Sequence, residues 1–176
     1  MPAPTAGKRT SNPKATAIFK MRLLSGSAAA TIRIGKAIAR HACKGDIVCL
    51  CGQLGAGKTV LAKGIAAGLG IAQGKVVSPT FVLIREYPHA RLPLYHFDLY
   101  RLESPSDILV LGYEEYFYDD GVTVVEWADR LKYLLPEEHL RIELSIRKDK
   151  KRILAFTARG SRYGRLIEEI HEDIRG

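Results

Sequence analysis

The spacing of hydrophobic and polar residues changes period along the chain, and this change predicts an α/β protein. Short apolar runs bounded by Gly, Pro or acidic residues predict β-strands in AIFKMRLL, DIVCLC, FVLIREY, PLYHFDLY and GVTVVEW. Apolar residues at helical spacing predict helices in SGSAAATIRIGKAIARHA, TVLAKGIAAGLG and RYGRLIEEIHEDI, with a shorter helix in ADRLKYLL. LRIELSIR and RILAFTAR alternate apolar and polar positions around a charged turn, which predicts an antiparallel hairpin. This order of elements predicts a sheet that is parallel at its centre and antiparallel at its edges, with helices on both faces.

The length of the chain fits one domain. A chain of 176 residues can bury a single core without disulfides or a structural metal. We expect a flexible basic arm at residues 1–15 and one domain at residues 16–176. No apolar stretch approaches the roughly 18 residues of a membrane span, and the N-terminus lacks the apolar core of a secretory signal. These features predict a cytoplasmic protein with no membrane partner.

The cysteines indicate a reducing compartment. Cys43, Cys49 and Cys51 cannot pair evenly, and a domain of this size does not need a disulfide. Together with His41 they resemble a set of zinc ligands. Cys49 and Cys51, however, lie in the apolar run DIVCLC, where small residues pack well, so we interpret them as core residues.

The charge of the chain is unevenly distributed. The formal net charge is +8, and residues 1–85 contain 13 Lys and Arg but a single acidic residue, Asp46. A basic half of this kind favours an anionic ligand or partner, either a nucleic acid or an acidic protein surface. A second basic cluster, residues 147–152, coincides with the predicted hairpin turn and is interpreted as a solvated turn.

The most informative motif is GQLGAGKT at residues 52–59, which matches the full phosphate-loop (Walker A) pattern. An apolar strand precedes it and a helix follows it, so its backbone N–H groups are expected to surround a phosphate at the positive end of the helix dipole. Lys58 would reach the β and γ phosphates, and the hydroxyl of Thr59 would bind Mg²⁺. The motif therefore predicts a P-loop NTPase fold. Its expected nucleotide-binding positions are Gly52, Gly55, Ala56, Gly57, Lys58, Thr59 and Val60.

Two further apolar runs end in an acidic residue, Asp98 and Glu126. The carboxyl end of a parallel strand beside the phosphate loop is the position at which a carboxylate can order Mg²⁺ or the attacking water. Trp127 follows Glu126 directly and is the only tryptophan in the chain. Its flat indole could stack on a purine, or it could simply pack a helix.

Four segments in this order resemble one family: GQLGAGKT, VVSPTFVLIREY, YHFDLYRL and VVEWADRL. They are similar to the TsaE family, bacterial ATPases of tRNA threonylcarbamoyladenosine (t6A) biosynthesis, over roughly residues 18–158. The resemblance implies that Glu126 is the magnesium-associated acid and that Trp127 stacks near the adenine of ATP or ADP. It also implies that Thr80 senses the γ-phosphate and that Asp98 is needed for hydrolysis. The chain departs from the family at Gln53, where an acidic residue is common, and this change alters the local charge of the loop.

The resemblance also implies partners. The chain would hydrolyse MgATP slowly on its own and act in complex with TsaB and TsaD, which transfer threonylcarbamoyl to N6 of adenosine 37. Contact with tRNA is expected through that complex, and none is expected with DNA.

Two alternatives use the same phosphate loop or the same basic surface. One is a small-molecule kinase, with Asp98 as base and lid arginines such as Arg85, Arg91 and Arg101. The other is a non-enzymatic tRNA-binding module whose binding would be strongly salt-sensitive. A GTPase is disfavoured, because the guanine-reading Asn-Lys-x-Asp element requires an asparagine and the only one is Asn12, in the arm.

Overall fold

The computed structural model describes residues 16–175, in which the predicted strands and long helices occur in the predicted order, with two additional short helices between β4 and β5. The predicted arm at residues 1–15 lies outside the described residues, so the division into arm and domain stays a prediction. The strands are β1 Ile18–Ser25, β2 Ile47–Cys51, β3 Ile84–Tyr87, β4 Leu94–Asp98, β5 Val122–Glu126, β6 His139–Ile146 and β7 Arg152–Arg159. The helices are α1 Ala28–His41, α2 Lys58–Gly68, α3 Pro105–Leu109, α4 Glu114–Phe117 and α5 Ser161–Arg175, with 3₁₀ segments at Gln73–Lys75 and Ala128–Leu134.

The strands form one seven-stranded sheet in the order β1-β7-β6-β2-β5-β4-β3. Neighbours are parallel from β6 through β2 and β5 to β4, and antiparallel at both edges. The predicted fold class is therefore confirmed. The strand that leads into the phosphate loop, β2, lies in the middle of the parallel region, and all five of its residues are buried. A strand covered on both faces loses the polar alternation, which is why DIVCLC reads as a continuous apolar run.

Helices cover both faces of the sheet. Helices α1, α2 and α5 pack on one face, in a cluster that includes Ile38, Leu61 and Phe156. Helices α3 and α4 and the second 3₁₀ segment cover the other face, in a cluster that includes Phe97 and Phe117. The predicted two-sided arrangement is confirmed.

Two glycines allow α2 to approach α1 closely. A Cβ atom on Gly35 would lie 2.7 Å from the Cα of Gly64, which is closer than real Cβ contacts occur. The backbones of the two helices therefore meet without intervening side chains. This contact fixes α2 and, with it, the phosphate loop from which α2 emerges.

Two short helices were not predicted. Helix α3 starts at a capping box in which the Ser104 hydroxyl accepts from the Asp107 backbone N–H at 3.3 Å and the Asp107 carboxylate accepts from the Ser104 N–H at 3.0 Å. The capping sequence and the following proline are visible as a helix-start signal. The helix is only five residues long, however, and shows no apolar period.

Two predicted elements differ in detail from the structure. The strand predicted over FVLIREY is confined to Ile84–Tyr87, because Leu83 has a positive φ of 67° that is incompatible with an extended strand. The helix predicted in ADRLKYLL is a 3₁₀ segment interrupted at Lys132, where φ is 50° and ψ is −116°. The interruption breaks the helical hydrogen-bond pattern one turn before Pro136.

Candidate functional site

The phosphate loop adopts a conformation that depends on glycine. Gly52, Gly55 and Gly57 have positive φ angles of 128°, 79° and 106°. At Gly52 a side chain is excluded by space as well, because a Cβ atom would lie 2.2 Å from the carbonyl oxygen of Leu144 in β6. The loop thus leaves β2 pressed against the neighbouring strand and enters α2 at Lys58, so the first turn of the helix faces the loop.

Lys58 lies inside the loop and is only 5% exposed. Its ammonium group donates to the carbonyl oxygen of Gly52 at 2.6 Å and to that of Gln53 at 3.0 Å. It also lies 3.7 Å from the ring centroid of Trp127, which is a cation–π contact. The ammonium is therefore held at the centre of the loop.

Burial and neighbouring carboxylates have opposite effects on Lys58. Burial lowers its pKa below the ordinary lysine value, and the negative charges of Glu126, Asp129 and Asp98 partly offset this effect. An ammonium in this position is poorly hydrated, so an additional anionic ligand would strongly stabilise its charged form.

Glu126 at the end of β5 is 1% exposed and has a partner on each oxygen. The Thr59 hydroxyl donates to Oε2 at 2.7 Å, and Nε2 of His96 lies 2.8 Å from Oε1. Within residues 16–175, Nδ1 of His96 has no hydrogen-bond partner. We therefore assign the ring proton to Nε2, which donates to the carboxylate. The carboxylate of Glu126 is fixed between β4 and the first turn of α2.

Asp98 occupies the same level of the adjacent strand, since Asp98 and Glu126 are register partners in the β4–β5 pair. Its Oδ2 accepts from the hydroxyl of Thr80 at 2.6 Å and from that of Ser78 at 3.0 Å, while its Oδ1 accepts from the backbone N–H of Tyr100 at 3.0 Å. The two carboxylates therefore have separate partners: Asp98 holds the segment before β3, and Glu126 holds the phosphate-loop threonine.

One cavity of about 340 Å³ brings these groups together. Gly52 and Ala56 support the loop from behind and do not line the cavity, whereas the other predicted site residues do. The lining residues are Leu54, Gly55, Gly57, Lys58, Thr59, Val60, Ser78, Thr80, Asp98, Tyr100, Glu126, Trp127 and Arg152.

Comparisons with known proteins show the family of the chain. The family model described as "Threonylcarbamoyl adenosine biosynthesis protein TsaE" matches residues 25–154. The chain belongs to the TsaE family. It is 47% identical to the tRNA threonylcarbamoyladenosine biosynthesis protein TsaE of Bacillus subtilis over 146 residues, covering 82% of this chain and 90% of that protein. It is 46% identical to the TsaE protein of Treponema pallidum over 132 residues, covering 75% of this chain and 96% of that protein.

A solved structure has the same fold. The crystal structure of YdiB from Bacillus subtilis superimposes with a TM-score of 0.78 at 39% sequence identity, covering 89% of this chain and 97% of that chain. The TsaE resemblance seen in four sequence segments is therefore confirmed over most of the chain, and so is the fold.

Trp127 of this TsaE chain has a left-handed backbone conformation, with φ 58° and ψ 39°. Its ring packs on Lys58 and on Tyr100, whose ring centroid is 5.0 Å away. The indole thus lies against the ammonium of Lys58, which is predicted to bind the phosphates. Its predicted stacking on adenine stays a prediction.

Five residues of the site were assigned no role in it from the sequence: Leu54, Ser78, Tyr100 and Arg152, which line the cavity, and His96, which contacts Glu126. His96 could have been found, because it lies two residues before Asp98 in one strand and must share its face. Ser78 and Tyr100 lie within the motifs SPTF and HFDLYR on which the resemblance rests, but only Thr80 and Asp98 of these motifs were assigned a role. Arg152 was interpreted as part of the solvated turn at residues 147–152, and this interpretation is wrong for Arg152: the register of the β6–β7 hairpin, in which it pairs with Ile146, brings it to the phosphate loop.

The oxygen ligands near Thr59 are suited to Mg²⁺ and not to zinc. Among residues 16–175, no group of three or more His, Cys, Asp or Glu side chains is arranged to hold a metal ion. Mg²⁺ is usually bound by one or two carboxylates together with substrate phosphates, so the adjacent oxygens of Thr59 and Glu126 fit it. Cys49 and Cys51 are buried in β2, and burial raises the pKa of Cys51 to about 11.

Over the described part of the chain, no helix is both long and apolar enough to cross a membrane.

Proposed function

We propose that this chain is an ATPase of tRNA threonylcarbamoyladenosine biosynthesis that binds MgATP at the phosphate loop and acts with TsaB and TsaD. The observation that carries the proposal is the convergence of Lys58, Thr59, Thr80, Asp98 and Glu126 on one cavity. Family membership supports the pathway, since the relatives are named for it.

ATP would bind with its β and γ phosphates at the first turn of α2. There the backbone N–H groups of the loop and the positive end of the helix dipole favour an anion. The Lys58 ammonium already points into the loop, where it donates to two carbonyl oxygens. Phosphate oxygens are stronger acceptors than these carbonyl groups because they are charged. The loop is therefore preorganised for a polyphosphate.

Thr59 and Glu126 would hold Mg²⁺, which would neutralise charge on the phosphates as they separate. His96 keeps the Glu126 carboxylate oriented toward Thr59, because it donates to the other oxygen. We assign His96 a positioning role, since it lies behind Glu126 and does not line the cavity. The burial of both residues excludes water from that side of the site.

Asp98 and Thr80 would act at the γ-phosphate end. The Thr80 hydroxyl donates to Asp98, and its side chain lines the cavity. A γ-phosphate in the cavity would compete for that hydroxyl and hold the segment that carries it until hydrolysis releases it, as expected of a nucleotide sensor. Asp98 would then have an oxygen available to orient the attacking water.

The arginines expected of a kinase lid lie elsewhere. Arg91 donates to the carbonyl oxygen of Ala39 in α1, and the guanidinium of Arg101 lies 4.3 Å from the ring centroid of Phe81. Neither Arg85, Arg91 nor Arg101 is among the residues that line the cavity. This arrangement favours hydrolysis over phosphoryl transfer to a metabolite.

The decisive experiment measures t6A formation on tRNA over many turnovers. TsaB and TsaD are supplied with threonylcarbamoyl-adenylate and an ANN-decoding tRNA, with and without this chain and ATP. We expect modification to continue past one turnover only when both are present. The Lys58→Ala variant serves as the control that retains the protein surface. Multiple turnovers without the chain, or with the chain but without ATP, would contradict the proposed role.

The single tryptophan provides a direct test of the adenine-stacking prediction. We expect MgATP and MgADP to change the emission of Trp127, and MgGTP to change it much less. The indole already contacts Lys58, so the emission could change because adenine stacks on the indole or because phosphate binds Lys58. Inorganic tripolyphosphate, which has no adenine, separates these two causes. An equal response to tripolyphosphate would trace the signal to Lys58, and an unchanged emission at saturating ATP would refute the stacking.

A further inference from the structure

Arg152 is the residue of the cavity that neither the phosphate-loop motif nor the family resemblance accounts for. It is the first residue of β7, 93 positions after Thr59 in the chain, yet its guanidinium lies on the phosphate loop. Its Nε–H donates to the carbonyl oxygen of Ala56 at 3.1 Å. A Cβ atom on Gly57 would lie 3.1 Å from this Nε, so the side chain runs directly along the loop.

The charge of Arg152 is not matched by an acidic residue. In the same turn, Asp149 pairs with Arg147 at 3.3 Å and with Lys151 at 3.7 Å. Across residues 16–175, Arg152 forms no salt bridge, and Nε is its only nitrogen that donates to protein. A guanidinium has five N–H donors in a fixed fork, and it stays charged at any physiological pH. Its two terminal amino groups can therefore bind an oxyanion without losing an existing contact.

Arg152 and Lys58 approach the loop from opposite sides. Strand β2 lies between β5 and β6 in the sheet. The Lys58 ammonium contacts Trp127, which follows β5, whereas Arg152 comes from the hairpin that continues β6. A polyphosphate that lies over the loop would thus have a cation on each flank. Two cations on opposite flanks neutralise more of its charge than one and also fix its direction.

We propose that Arg152 is a phosphate-binding residue that contacts the polyphosphate of the nucleotide on the flank of the loop opposite Trp127. The proposal rests on the proposed function, because it assumes that a nucleotide occupies this cavity. The competing role is structural: Arg152 would only hold the carbonyl group of Ala56. The fork geometry and the absence of an acidic partner in the described chain favour the phosphate contact.

The test measures binding of MgATP and of inorganic tripolyphosphate by calorimetry to the wild-type chain, Arg152→Ala and Arg152→Lys. We expect Arg152→Ala to weaken both ligands by about 10- to 100-fold, the effect of losing a hydrogen-bonded charge. Arg152→Lys should lose less affinity than Arg152→Ala, because it keeps the charge but not the fork of N–H donors. The affinity of Arg152→Ala should also depend less steeply on salt, since one exposed charge contact is lost. Arg147→Ala in the same turn is the matched control and should bind like the wild type.

The possible results separate the two roles. Unchanged affinity in Arg152→Ala would overturn the proposal, as would a loss confined to MgATP, which would assign Arg152 to the nucleoside. A loss equally large in Arg152→Lys, with an unchanged salt dependence, would assign it the structural role. Failure of the proposed function looks different: if the cavity holds no nucleotide, the wild-type chain itself binds neither ligand, and if only the pathway is wrong, both ligands bind but t6A formation does not depend on the chain.

Discussion

Replacing Lys58 with alanine is expected to weaken the binding of MgATP and MgADP at least about 100-fold. The ammonium lies inside the loop with two carbonyl oxygens as its protein acceptors, and burial has removed most of its hydration. The contact between a bound phosphate and the Lys58 ammonium is therefore more favourable than the contact of either group with water. The Lys58→Ala variant lacks this contact. Calorimetry is the suitable measurement, because removal of the ammonium changes the surroundings of Trp127 and alters its fluorescence without any ligand.

Lys63→Ala provides the control for this experiment. Lys63 lies in the same helix, and it does not line the cavity. The two variants carry the same change in net charge, so a general electrostatic effect would weaken both equally. Circular dichroism establishes that each variant keeps its helices. Wild-type affinity in a folded Lys58→Ala variant would refute the assignment of residues 52–59 as a phosphate-binding loop.

The elements that position the site were predictable because each has a local cause. An apolar run such as DIVCLC is required where a strand is covered on both faces, and the glycines of residues 52–57 are required by positive φ. The two acidic residues were predictable as a pair, since parallel strands end at the same edge of the sheet. Their register, with Asp98 directly beside Glu126, bears out that reasoning.

The rest of the site depends on contacts between distant segments. No local pattern places Arg152 on the loop, because its position follows from the length and register of the β6–β7 hairpin. The left-handed conformation of Trp127 is likewise set by its surroundings, since a tryptophan has no intrinsic preference for positive φ. That conformation turns the indole back onto Lys58, a contact that the order of residues in VVEW does not indicate.

The separate partners of the two carboxylates suggest how their work is divided. Glu126 contacts the phosphate-loop threonine, on the side where Mg²⁺ would bind, whereas Asp98 contacts Ser78 and Thr80. Loss of Glu126 should therefore affect the chemical step through Mg²⁺. Loss of Asp98 should affect it through the Thr80 hydroxyl, which donates to Asp98. Glu126 is the stronger test, because its carboxylate is almost fully buried and each of its oxygens has a fixed partner, Thr59 or His96.

For Glu126→Gln we expect hydrolysis of ATP to fall at least about 100-fold while MgATP binding changes by less than about fivefold. Glutamine keeps the shape of the side chain but removes the charge that would order Mg²⁺, whereas Lys58 and the loop amides still hold the phosphates. Hydrolysis is measured as phosphate release in the presence of TsaB and TsaD, and binding by calorimetry on the isolated chain. Glu168→Gln, on the exposed face of α5, is the control for loss of one negative charge.

Turnover at the wild-type rate in Glu126→Gln would show that the carboxylate does not take part in hydrolysis. A parallel loss of binding would instead assign Glu126 to nucleotide affinity, because an acid that acts only on the chemical step leaves the ground-state complex intact.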